Sequence, residues 1–189
     1  MDKKQAFKDA LLKTEREGMQ DLIDYLEEIG FFTAPASTHF HGACEGGLFE
    51  HSVNVLYAAE KIGVSLLGGK EFNKIKDSVC ICALLHDVGK CGQFGKPLYV
   101  PNILKGGKPS DTKPFATNPD LVTLPHEIVS CIEITKFIDL TPEEQQAIAW
   151  HNGLYGYFKY DIQGKETPLY MIVHFADMWA SRVVEKEGQ

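Results

Sequence analysis

The run "CALLHDVGK", residues 82–90, sets a histidine and an aspartate side by side at the end of an apolar stretch. A carboxylate in that position must reach water or find a partner, because burying it alone is costly. Six residues spread along the chain have the right chemistry to share that role: His51, His86, Asp87, His126, His151 and Asp177. Imidazole nitrogens and carboxylate oxygens together form a donor set for divalent transition metals, which they bind at about 2.0–2.2 Å. Asp177 lies four residues after Val173 and so faces the core side of its helix, with Arg182 five residues on and Lys186 nine. A cation shared with the histidines satisfies it. Neighbouring helical residues point about 100° apart, so His86 and Asp87 diverge. Both still reach a site at the helix end, and Asp87 can bridge two ions.

These residues need helices to bring them together. Residues 4–29 read as one helix, with Leu22, Ile23, Leu26 and Ile29 on one stripe and Gly30 stopping it. Residues 33–47 are loop. A second helix, 48–62, carries His51, and a third, 73–88, ends in His86-Asp87. The Pro-, Gly- and Lys-rich segment 91–124 is too long for a plain connection and reads as a lid or β-hairpin. Helix resumes over 125–138 behind His126. In "TPEEQQAIAWH", Thr141 is an N-cap, Pro142 the first helical residue and Glu144 the partner of a capping box, so this helix ends at His151. Residues 157–170 read as a second short hairpin or loop, and a last helix, 168–185, bears Asp177. The fold class is all-α, a helical bundle with one long insertion between the His86-Asp87 helix and the next. A single domain is expected over 1–189: an N-terminal helix and loop (1–46), a metal-binding helical core (47–186) and the lid-like insertion (91–124).

Composition narrows the function. The formal net charge is -7, with arginine only at 16 and 182. That argues against a duplex nucleic-acid binder, which neutralises many phosphates, but not against an enzyme that meets phosphate through a metal. No apolar run is long enough for a membrane span, and the N-terminus carries acids and no uninterrupted apolar core. A cytoplasmic protein with no membrane partner is expected. The five cysteines are odd in number and lack a CxxC pair, so they read as reduced thiols.

The ordered set is more specific than the dipeptide, since seven His and eleven Asp in 189 residues supply roughly 0.4 such pairs by chance. The stretches "FHGACEGGLFEHS" (40–52), "LLHDVGK" (84–90), "LPHEIVS" (124–130), "IAWHNG" (148–153) and "HFADMWASR" (174–182) carry the pattern H…HD…H…H…D. In that pattern the chain resembles the HD-domain metal-dependent phosphohydrolase superfamily. It is similar to the small bacterial and phage HD hydrolases and to the HD domain of 3′-5′ exoribonucleases. The resemblance implies the HD-domain bundle and a set of roles. His51, His86, Asp87 and Asp177 match the primary metal ligands, His126 and His151 the ligands of a second ion, and Asp87 the bridge between them. Lys90 matches a lysine near the phosphate. On the two-ion reading Asp87, Lys90 and Glu127 form the catalytic set, with Glu127 orienting a ligand or relaying a proton. His41, just before the helix that carries His51, contacts a substrate phosphate together with Lys90 or protonates a leaving group. His174 is placed in the core or behind the ligands, and His39 at the surface.

The expected cofactor is a divalent metal, two ions, with Mn, Fe, Co, Ni or Zn favoured over Mg by the imidazole ligands. The expected activity is hydrolysis of a phosphoester bond, in a nucleotide or related phosphorylated compound, by a metal-activated water. Two other readings stay open: a 3′-5′ exonuclease on short single-stranded RNA or DNA, and a non-catalytic metal-bound nucleotide sensor.

Overall fold

Phe7 and Leu11, then Met19, Leu22, Ile23 and Leu26, are buried against one core, yet they lie on two helices rather than one. The computed structural model describes residues 2–156 and 159–188. In it α1 (Lys3–Leu12) is capped by the Asp2 side chain, and α2 (Met19–Glu28) begins after a turn. The single helix expected over 4–29 is therefore corrected. The polar run 13–17 offers no apolar residue to the core, Glu15 takes a left-handed φ of 52°, and the chain turns there.

Arg16 shows what the turn is for. Its guanidinium grips Glu144 on α5 (Pro142–Ala149) at 3.0 and 2.8 Å, and Glu144 also accepts from Ser78 Oγ at 2.7 Å. The capping box expected at Thr141 and Glu144 is present. Glu144 is thus more than a cap: it is a fully buried carboxylate tying the N-terminal segment to the bundle. Burial pushes its pKa up, but the hydrogen bonds from Arg16, Ser78 and the Thr141 backbone and the Arg16 charge hold it below the ordinary value. A depressed carboxyl pKa contributes stability above the unfolded value and loses it as pH falls through the folded one. Arg16→Met strands this carboxylate, and we expect a loss of about 2 kcal/mol at pH 7. Urea denaturation at pH 7 and pH 4 checks it: the gap between wild type and variant should narrow at the lower pH.

The two helices expected over 48–62 and 73–88 are limbs of one longer element, α3 (Gly47–Leu85), with no loop between them. At about 1.5 Å per residue, His51 and His86 would stand roughly 50 Å apart on a continuous helix. Their ring centroids are 5.4 Å apart. The break at Gly68, with φ 75° and ψ 155°, therefore reverses the chain, and a left-handed φ there suits glycine. This helical hairpin lays His51 beside His86.

The insertion after the His86-Asp87 helix contains a hairpin, β1 (Tyr99–Pro101) antiparallel to β2 (Phe115–Thr117), with Val100 opposite Ala116. The Phe115 N–H bonds the Thr38 carbonyl at 3.2 Å and pins the hairpin to the loop before α3. The next helix, α4 (His126–Ile134), is shorter than the expected 125–138. Of the hairpin or loop expected over 157–170, residues 157 and 158 lie outside the described residues. The described remainder holds turns and the start of the last helix, and no strand. That helix, α6 (Pro168–Trp179), runs on through a π-helical turn (Ala180–Val184) and a 3-10 turn (Glu185–Gly188). The protein is an all-α bundle with one hairpin insertion. All five cysteines are free, and among the described residues no helix is long and apolar enough to cross a membrane.

Candidate metal centre

Five segments deliver the six predicted residues to one place. His51 comes from the first limb of α3, His86 and Asp87 from the end of the second, His126 from the first turn of α4, His151 from just beyond α5, and Asp177 from α6. The two oxygens of Asp87 face different groups. Oδ2 lies 3.6 Å from His51 Nε2 and 3.4 Å from His86 Nε2. Oδ1 lies 3.1 Å from His126 Nε2 and 3.4 Å from His151 Nε2. Asp177 Oδ1 is 3.2 Å from His51 Nε2, on the Oδ2 side.

These spacings test the fit to metal. Two donors each about 2.1 Å from one ion stand about 3.0–3.4 Å apart in octahedral or tetrahedral geometry. Both oxygens of Asp87 and the Nε2 atoms of His51 and His86 are buried without a well-directed hydrogen bond, their charged neighbours being Lys90, 2.6 Å from Asp87 Oδ2, and Asp177, 3.2 Å from His51 Nε2. Buried polar groups ordinarily have partners. Two sets of donor atoms, His51/His86/Asp177 and His86/Asp87/His151, each fall within 4.8 Å of one another. The residues fit divalent cations.

The candidate ligand rings are held from behind. His86 and His151 each turn Nδ1 to a backbone carbonyl, of Ala83 at 3.0 Å and Ile148 at 2.8 Å, which leaves Nε2 for the centre. His51 Nδ1 meets both oxygens of Glu185 at 3.1 Å, and Asn54 Nδ2 donates to Glu185 at 3.0 Å. Metal-bound histidines carry such carboxylate partners. Sequence reading missed this pair, although 177, 181 and 185 share a helical stripe and Asn54 lies one turn past His51. Glu127 stands behind His126, with Oε2 3.4 Å from its Nδ1, and accepts from Asn152 at 2.7 Å. His174 Nδ1 donates to the His151 carbonyl at 2.7 Å, which places it behind the ligands, and His39 is exposed.

Lys90 Nζ lies 2.6 Å from Asp87 Oδ2. Burial lowers its pKa, but Asp87 lifts it to about 12. Burial would raise Asp87, yet Lys90, His86 and the His126 and His151 contacts hold it well below the carboxylate range. Burial likewise pushes His51 down, and Asp177 and Glu185 overcome it and raise it to about 9. His41, its ring centroid 4.9 Å from that of His51, is pushed down to about 4 by burial and by the charges of His51 and Lys90. It is a neutral imidazole at pH 7.

Because its pKa is raised to about 9, His51 would have to give up a proton for a metal to bind at its Nε2. We expect Mn²⁺ binding at pH 7 to release protons, and the affinity to rise by about one log unit per pH unit for each proton released between pH 7 and 9. Calorimetry in two buffers of different ionisation enthalpy reads the protons directly. A buffer-independent enthalpy would contradict it.

A cavity of about 430 Å³ opens onto the centre, and His41, Lys90, His151 and Asp177 line it. Compared with family models, the chain matches that of the HD domain over residues 48–177. The match takes in all six candidate ligands. Searches of curated proteins and of solved structures find no match.

Proposed function

The chain belongs to the HD domain family of metal-dependent hydrolases, and we propose that it cleaves a phosphoester bond of a nucleotide or a related phosphorylated compound. The observation that carries this reading is the two-faced Asp87 carboxylate, with His51 and His86 on one oxygen and His126 and His151 on the other. One ion would be held by His51, His86, Asp177 and Asp87, the other by His126, His151 and Asp87. When bound, the pair lowers the pKa of a water toward neutrality and neutralises charge on the phosphoryl oxygens.

The chain's own groups do the rest. Asp87 holds the two ligand sets in one register. Lys90 balances Asp87 and, lining the cavity, adds a positive charge where the phosphoryl oxygens gain negative charge. His41 faces the same cavity as a neutral imidazole, suited to hydrogen-bond a phosphoryl oxygen rather than to act as an acid. Glu127, with Oε2 3.4 Å from His126 Nδ1, is placed to orient that ring. The imidazole-rich ligand set favours Mn, Fe, Co, Ni or Zn over Mg.

The test is a turnover screen. Protein loaded with each metal is given mono-, di- and triphosphate nucleotides, an aryl phosphodiester and short oligonucleotides. We expect metal-dependent hydrolysis of at least one nucleotide. Release of nucleotides from oligonucleotide 3′ ends alone would favour the exonuclease reading. Bound metal with no turnover of any of them would make the protein a sensor.

A further inference from the structure

The phosphohydrolase reading leaves unexplained the far side of the cavity. Among the described residues Asp177 is its one carboxylate, whereas Lys90, Arg182 and Lys186 all line it. This is a concentration of positive charge in a chain of net charge -7. Lys90 is committed to Asp87. Among the described residues, neither Arg182 nor Lys186 has a carboxylate within ion-pair distance. Of the two arginines, Arg16 is bound to Glu144, and Arg182 is held at the cavity.

Its hold is an aromatic one. The Arg182 guanidinium lies over the Tyr155 ring, 4.5 Å from the centroid, within the range of a cation–π contact. Tyr155 is placed by the chain that supplies His151: the short turn Gly153–Tyr155 follows that ligand directly. Gly153 takes a φ of +53° and lies against the His174 ring, so the turn is seated on the core. A guanidinium held over a ring face can keep donor N–H groups available, an arrangement suited to bidentate contact with phosphate.

Resting on that phosphohydrolase reading, we propose that Arg182, lying over the Tyr155 ring and assisted by Lys186, is a specificity-determining subsite for a second phosphate of the substrate. The scissile phosphoryl group would sit at the metal held by the His/Asp cluster, beside the Lys90–Asp87 pair, and the next phosphate along the substrate meets Arg182. The preferred substrate class is a phosphoester carrying a further phosphate, as in a nucleoside diphosphate, over a lone monoester.

The test uses binding, so that it does not depend on turnover. Mn²⁺-loaded protein is titrated calorimetrically with methylphosphonate and with methylenediphosphonate, whose P–C–P bridge resists hydrolysis. Wild type should bind the diphosphonate at least about tenfold more tightly. Arg182→Gln should lose about tenfold on the diphosphonate and less than twofold on methylphosphonate, at unchanged metal content. Arg182→Lys should fall between, because it keeps the charge and loses the fork. The proposal is overturned if Arg182→Gln holds diphosphonate affinity within twofold of wild type, or weakens both ligands alike. Wild-type selectivity without hydrolysis of any phosphoester would defeat the phosphohydrolase reading and leave the subsite standing. Hydrolysis without that selectivity would defeat the subsite alone.

Discussion

Asp87→Asn should strip the metal from the protein and lower kcat/KM by at least about 10³-fold, since it removes the charge that the two proposed ligand sets share. Asparagine keeps the shape of the side chain and changes only its charge and its donor pattern. It therefore tests the carboxylate rather than the packing. A secondary effect must be separated. Lys90 is only 11% exposed and its partner is Asp87. Removing one member of a buried pair costs about 3–5 kcal/mol, because the other charge is stranded. The double variant Asp87→Asn/Lys90→Met removes both charges and should recover much of that stability while remaining metal-free and inactive. Elemental analysis, thermal denaturation and turnover on the three proteins decide it. Full metal content or wild-type turnover in Asp87→Asn would remove Asp87 from the site.

Gly89→Ala should have the next largest effect, although Gly89 offers no ligand atom. A Cβ there would lie 2.2 Å from the His126 carbonyl oxygen and 2.9 Å from both Ser130 N and Val129 Cβ. The turn after Asp87 is fastened to α4 at this point: Gly89 N–H donates to Ser130 Oγ at 2.8 Å, which donates to the His126 carbonyl at 2.9 Å. A methyl group forces α4 outward and takes His126 away from Asp87. Overpacking of this kind costs about 1–3 kcal/mol, and a displacement of about 1 Å at a catalytic group can cost 10²-fold in rate. We expect about 2–3 kcal/mol of destabilisation and loss of the ion on the His126 side before the other. Metal titration followed by elemental analysis should find close to one ion per chain. Two ions with unchanged turnover would show that the approach of α4 to Gly89 does not position the site.

Much of the site was legible because its residues advertise their chemistry. Histidines and aspartates on apolar helix faces are costly unless satisfied, and their order along the chain is that of the HD domain family. The capping box at Thr141 was legible because it is made entirely by local residues. What sequence reading misplaced depends on distant partners. Two helices around Gly68 were foreseen, but not that the break is a sharp reversal laying His51 beside His86. The turn after Leu12, local in origin, carries Arg16 to Glu144, 128 residues away. Glu185 holds His51 across 134 residues. Nothing near either residue announces the partner. The hairpin in the insertion was foreseen from its proline and glycine content, but its pinning to Thr38 was not.

The most direct test is an anomalous difference map from crystals of the protein grown with Mn²⁺. Two peaks should flank Asp87, one among His51, His86 and Asp177, the other beside His126 and His151. A map with no peak at Asp87, or with manganese bound only elsewhere, would contradict the proposed centre.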